Sequence, residues 1–162
     1  MIFGIGIDVL EAQRMRDSYA RFGARLLDRL LLPQERRQFD LTRSPERFLA
    51  MRFAAKEAIA KAMGTGFAHG IWIRDVGVVQ NARGKPEVIY SPRGERMRRR
   101  LGVGEGHITL TDEAGLIVAV AVLLRDGQGG RRRIVSAGAR AEGSAGARRL
   151  GKRSAPRRGP RR

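Results

Sequence analysis

The sequence predicts an α+β domain over residues 1–125, a mainly antiparallel sheet packed against helices, followed by a basic tail at 126–162. Three observations carry that expectation. Strand and helix signals alternate early in the chain, strands dominate the later part, and the composition changes sharply after Arg125.

Met1 to Val9 reads as a strand, apolar at Ile2, Ile5, Ile7 and Val9 with glycines between. A helix is expected from about Glu11, with Met15, Tyr19 and Phe22 at helical spacing and Arg14, Arg16, Arg21 and Arg25 as a basic surface. Leu26 to Leu32 is an apolar run closed by Pro33, and Gln34 to Phe39 predicts a short helix. The clearest helix begins at Ser44-Pro45, an N-cap residue followed by proline at the first helical position. Its apolar stripe is Phe48, Met51, Ala55, Ile59, Ala62 and Met63, and Gly64-Thr65-Gly66 ends it. Strands are then expected at Ile71–Ile73, Val76–Val79, Glu87–Tyr90, Gly106–Thr111 and Leu116–Leu124, with a helix over Pro92–Leu101. The turn Asp112-Glu-Ala-Gly115 should join the last two strands into a hairpin.

After Arg125 the chain is rich in Gly, Arg, Ala, Ser and Pro. Ile134, Val135 and Leu150 cannot build a core, so ordering this segment would cost more entropy than burial returns, and a disordered tail is expected. Of the net charge of +17, the tail holds +10, from 12 Lys/Arg against two Asp/Glu. It reads either as an adhesive for nucleic acid or anionic surfaces, or as an extension with no essential role. The remainder is moderately basic, which favours an acidic partner.

With no cysteine, disulfides and thiolate chemistry are excluded, and two histidines argue against a multi-histidine zinc site. A metal would be held mainly by oxygen, which points to Mg²⁺ or a similar hard ion. The apolar run Leu116–Leu124 is far short of the roughly 20 residues of a membrane-spanning helix. The N-terminal residues lack the features of a signal peptide, so a soluble cytoplasmic protein is expected.

Asp8 closes an apolar strand, where an unpaired carboxylate is costly to bury; it either caps the next helix or serves a site. Glu57 and Lys61 share one helical face, as a plain surface ion pair would. The run from Lys56 to Gly66, however, places a carboxylate and two ammoniums just before a Gly-Thr-Gly turn, where glycines allow backbone to approach a phosphate. Gly84-Lys85-Pro86 offers a second short turn with a cation.

These residues resemble a family. Gly4-Ile-Gly6-Ile-Asp8 is similar to the N-terminal Gly-x-Gly-x-Asp strand of the bacterial holo-acyl-carrier-protein synthases, the short, homotrimeric class of 4′-phosphopantetheinyl transferases. The run from Phe53 through Lys56-Glu57-Ala58 and Lys61-Ala62 to Gly64-Thr65-Gly66 resembles the family's signature helix. Gly84-Lys85-Pro86 and the strand His107-x-Thr109-x-Thr111 resemble its later elements, and the ordered set spans Ile2 to about Leu124. Phe53 stands where tryptophan is frequent, Asp112 where a second histidine is common, and the tail has no counterpart in the usual family length.

The resemblance implies the phosphopantetheinyl transferase fold and transfer of the phosphopantetheine arm of coenzyme A to a serine of acyl carrier protein, for fatty-acid biosynthesis. It implies Asp8 and Glu57 as Mg²⁺ ligands, Lys61 as the cation on the pyrophosphate, and Gly64 and Thr65 against the nucleotide. Lys85, Pro86, His107 and Thr109 would line the coenzyme A cleft, in part from a neighbouring subunit of a homotrimer. The serine proton would go to Glu57, directly or through water, or to a Mg²⁺-bound water. Arg14, which best matches the family's docking position, with Arg16, Arg21 and Arg25 on the basic first helix, would form the docking surface for the acidic carrier protein; a solvated arginine face is the other reading of Arg16, Arg21 and Arg25. The competing function is a nucleic-acid-binding protein that uses its arginine-rich tail, which leaves Asp8, Glu57 and Lys61 without a purpose.

Overall fold

The computed structural model describes residues 1–67 and 69–127. All of the tail expected at 126–162 except Asp126 and Gly127 thus lies outside the described residues. The element order is β1 (Ile2–Glu11), α1 (Ala12–Phe22), α2 (Ala24–Leu30), α3 (Pro33–Phe39), α4 (Pro45–Ala62), β2 (Val76–Gln80), β3 (Pro86–Tyr90), α5 (Pro92–Leu101), β4 (Val103–Glu113) and β5 (Leu116–Arg125). Strands β1, β5 and β4 form one antiparallel sheet in that order, and β2 and β3 form a separate hairpin. This is the expected α+β class.

α4 is the centre of the domain. Leu49, Ala50, Ala54, Ala55, Ala58, Ile59 and Ala60 are fully buried, between the three-stranded sheet, α1 and the β2–β3 hairpin. The single apolar stripe expected for this helix is therefore too narrow a description. Alanines on several sides let neighbours close in all round, where large side chains would have kept them apart. Pro45 sits at the first helical position as expected, but the Ser44 side chain makes no cap hydrogen bond.

β1 lies almost against the α4 backbone. A Cβ on Gly4 would stand 2.1 Å from the carbonyl oxygen of Ala62, and one on Gly6 2.0 Å from that of Ala58. Only glycine allows that approach, and the two-residue period of a strand puts Asp8 on the same helix-facing side. Gly6→Ala should accordingly lower stability by about 3 kcal/mol or more, readable as a drop in the urea midpoint, because backbone rather than a flexible side chain must move.

The strand runs to Glu11, past the expected end at Val9, so Asp8 sits inside it, paired with Ala119, and does not cap α1. The opposite face of the sheet carries three cross-strand rows: Ile5–Val122–His107, Ile7–Val120–Thr109 and Val9–Val118–Thr111. Ile5, Ile7 and Val9 are 57%, 54% and 58% exposed there.

The strand expected at Ile71–Ile73 does not form. The segment is a turn in which the Asp75 carboxylate accepts from the Trp72 N–H (2.7 Å) and the Asp75 N–H donates to the Trp72 carbonyl (2.8 Å). Ile71 plugs the core instead, fully buried, while Trp72 is 67% exposed under the Arg93 guanidinium. The last hairpin turns on Ala114 and Gly115 alone, with φ of 50° and 83°, the left-handed pair that suits a two-residue connection.

Candidate functional site

Three expected residues meet where β1 crosses the last turns of α4. Lys61 Nζ donates to Asp8 Oδ1 (2.8 Å) and to the carbonyl of Ile7 (3.0 Å). Glu57 precedes Lys61 by about one helical turn and is half-buried. Burial raises its pKa first, the charge of Asp8 raises it further, and Lys61 opposes both. The Asp8 side chain is 13% exposed and that of Lys61 49%, so the cluster opens to solvent on the lysine side.

The helix then ends in the expected glycine turn. Gly64 and Gly66 have φ of 72° and 53°, and their N–H groups close onto the carbonyls of Lys61 and Ala60. Between them the Thr65 hydroxyl is buried with no hydrogen-bond partner among the described residues. A buried hydroxyl left unpaired costs about 1–3 kcal/mol, unless a ligand satisfies it. The His69 ring nitrogen Nδ1 lies 3.0 Å from the Thr65 carbonyl.

Lys56 does not join this centre. In the sequence it stands with Lys61 as a second ammonium beside the glycine turn, but its side chain is fully buried and paired with Glu35 (2.7 Å). Burial lowers its pKa, and the Glu35 charge opposes that effect.

Lys85, Pro86 and His107 belong to another cleft, of about 550 Å³, walled by Gln34, the strand Pro86–Tyr90, α5 and Gly104–His107. Thr109 faces the open side of the sheet and does not line that cleft. Within one chain the expected site residues thus fall into two groups. Asp8, Glu57, Lys61, Gly64 and Thr65 lie at the α4 terminus; Lys85, Pro86 and His107 line the second cleft, with Thr109 on the open sheet face.

A model of the 4′-phosphopantetheinyl transferase superfamily matches residues 4–120. The chain belongs to this superfamily. Among curated holo-acyl-carrier-protein synthases, that of Thiobacillus denitrificans is 42% identical over 123 residues, 76% of this chain and 94% of the relative. That of Nitrosococcus oceani is 40% identical over 131 residues, 81% of this chain and 85% of the relative. The crystal structure of the Neisseria meningitidis synthase superposes with a TM-score of 0.73 at 35% identity, covering 77% of this chain and all of that one. The Helicobacter pylori synthase in complex with coenzyme A gives 0.65 at 25% identity, over 74% and 98% of the two chains. The Bacillus anthracis synthase in complex with CoA (3′,5′-ADP) gives 0.62 at 33%, over 76% and 96%.

In this transferase two of the arginines expected on the first helix, Arg14 on α1 and Arg25, which lies on α2 instead, border shallow apolar depressions. Arg14 and Arg29 border one of about 180 Å³ with Met15, Leu26, Phe53 and Ile73 at its base. Arg25 and Arg29 border the other, of about 290 Å³, with Phe22 and Leu26. The Arg21 guanidinium lies 5.0 Å over the Phe22 ring. Arg29 was missed because Leu26–Leu32 reads as an apolar run; its i, i+4 spacing from Arg25 is the signal that α2 makes visible. Among the described residues no group of three or more His, Cys, Asp or Glu side chains gathers to hold a metal, and no helix is long and apolar enough to cross a membrane.

Proposed function

We propose that Asp8, Glu57 and Lys61 form the centre at which this transferase moves the 4′-phosphopantetheine group of coenzyme A to a serine of apo acyl carrier protein, releasing 3′,5′-ADP. The observation that carries this reading is the meeting of two carboxylates and a lysine beside a glycine turn that holds an unpaired buried hydroxyl. The relatives from Helicobacter pylori and Bacillus anthracis, solved with coenzyme A and with CoA (3′,5′-ADP), support coenzyme A as the donor.

Asp8 and Glu57 fit Mg²⁺. They are hard oxygen donors whose charges disfavour one another, and Lys61 pairs with only one of them. Two protein carboxylates completed by water and substrate phosphate suit this ion. Bound there, it would offset the charge of the pyrophosphate and of the leaving 3′,5′-ADP.

Lys61, anchored by the Ile7 carbonyl as well as Asp8, holds a positive charge against the phosphates. The backbone at Gly64 meets the nucleotide, and the buried Thr65 hydroxyl joins it once the turn opens toward the ligand. The serine oxygen of the carrier protein attacks the β-phosphorus, its proton passes to Glu57 directly or through water, and the bond to 3′,5′-ADP breaks.

The second cleft would complete the site from a neighbouring copy. Exposed Ile5, Ile7 and Val9 beside Val118, Val120 and Val122 make an open apolar face that supports self-association, read here as a homotrimer. His107 and Thr109 on that face would then stand at the subunit junction. Cytoplasmic fatty-acid synthesis is the setting of such a reaction.

Arg14, Arg25 and Arg29 around apolar depressions, with Arg21 over the neighbouring Phe22 ring, suit an acidic helix carrying an apolar anchor. Arg14→Glu should raise KM for acyl carrier protein by about tenfold or more and leave KM for coenzyme A within about twofold. Steady-state kinetics with each substrate varied in turn reads both. The reaction itself is tested by chromatography: coenzyme A should be consumed and 3′,5′-ADP released only when apo acyl carrier protein is present. Release without carrier protein would count against it.

A further inference from the structure

The β2–β3 hairpin carries Lys85 and Pro86 but shares no strand pairing with the three-stranded sheet. Among the described residues β2 has a strand neighbour on one edge only, and an edge leaves backbone groups at alternate residues without strand partners. Here side chains take the place of a third strand. The Val76 carbonyl accepts from Lys56 Nζ (2.6 Å) and the Val78 N–H donates to Glu35 Oε1 (2.9 Å). The Gln80 N–H donates to Gln38 Oε1 (3.0 Å), while Gln38 Nε2 donates to the Gln80 carbonyl (2.7 Å).

These side chains are also joined to one another. Lys56 pairs with Glu35, and Arg52 Nη2 donates to Gln38 Oε1 (3.3 Å). The fit is tight, since a Cβ on Gly77 would stand 2.7 Å from Leu32 Cδ1 and 3.0 Å from the Glu35 carboxyl carbon. α3 contributes Gln34 to the same 550 Å³ cleft that the hairpin walls with Lys85 and Pro86.

We propose that α3 clamps the free edge of β2 and thereby sets the placement of the Lys85–Pro86 wall, which makes Gln38 a positioning residue for coenzyme A binding. This rests on Lys85 and Pro86 lining the coenzyme A cleft, as proposed above. Gln38 touches no proposed substrate group; it acts through the hairpin. It is half-buried at the outer end of the clamp, and because its Oε1 also accepts from the buried Arg52, some loss of stability is expected on removing the amide, so coenzyme A binding is the deciding readout.

The test compares Gln38→Leu, Lys85→Ala and the double variant, by steady-state kinetics and by calorimetric titration of coenzyme A without carrier protein. Gln38→Leu should raise KM and Kd for coenzyme A about tenfold, with kcat and KM for carrier protein within about twofold. Because Gln38 works through the hairpin, the double variant should bind coenzyme A no worse than about twofold below Lys85→Ala alone. A loss of melting temperature in Gln38→Leu with unchanged coenzyme A binding would mean a merely structural role and overturn the clamp. Fully multiplicative losses in the double variant would do the same. If Lys85→Ala leaves coenzyme A binding unchanged, the cleft assignment itself fails, and the clamp's functional role falls with it.

Discussion

Glu57→Gln and Asp8→Asn are each expected to lower kcat/KM by about three orders of magnitude while the protein stays folded. Glutamine keeps the size of Glu57 but can neither take the serine proton nor bring negative charge to a cation. Asparagine at position 8 removes the ion pair that holds Lys61 as well as a candidate Mg²⁺ ligand. Both residues are half-buried at the β1–α4 contact and neither belongs to the buried core, so melting temperatures should stay within a few degrees of the parent. The decisive reading is activity against melting temperature for each variant. Loss of both together would place Asp8 and Glu57 in the framework and leave the reaction to other residues.

Breaking the Glu35–Lys56 pair should have the largest effect on stability. Both side chains are completely buried, and Glu35 also accepts from the N–H groups of Leu32 and Val78, while Lys56 donates to the carbonyls of Ile73 and Val76. Lys56→Ala or Glu35→Ala leaves one uncompensated charge in the core, at a cost of about 3–5 kcal/mol. For a domain of this size the melting temperature should fall by roughly 10–20 °C. Apolar replacement of both partners often restores stability elsewhere, but here it strips partners from four backbone groups. Glu35→Leu/Lys56→Met should therefore remain well below the parent in a urea titration. Full recovery in the double variant would show that those backbone groups find other partners.

What the sequence made legible was local in origin. Gly4, Gly6 and Asp8 alternate on one strand, and Glu57 and Lys61 stand four apart on one helix, so their shared faces follow from the periods of strand and helix alone. Most of the strands and helices followed from the same periods and from Pro45, Pro92 and the Ala114-Gly115 turn. Lys56 and Lys61 look equivalent on paper, yet five residues rotate the side chain by about 140°, from a solvent-facing edge into the core. Which edge is buried is decided by β2 and α3, not by α4. Glu35 and Gln38 gave no signal for the clamp because their β2 partners lie 42 or 43 residues further along the chain. The apolar run Ile71–Ile73 suggests a strand, but apolar density does not distinguish a paired strand from a turn that buries Ile71 and leaves Trp72 exposed. The separation of His107 and Thr109 from Asp8 is a matter of sheet register, which no short motif contains.

The most direct test is intact-mass spectrometry of apo acyl carrier protein incubated with this protein, coenzyme A and Mg²⁺, with EDTA and Glu57→Gln in parallel. The account predicts a gain of one phosphopantetheine on the carrier serine, abolished by EDTA and in the variant. No gain with several apo carrier proteins, from folded protein, would contradict it, as would a gain undiminished in Glu57→Gln.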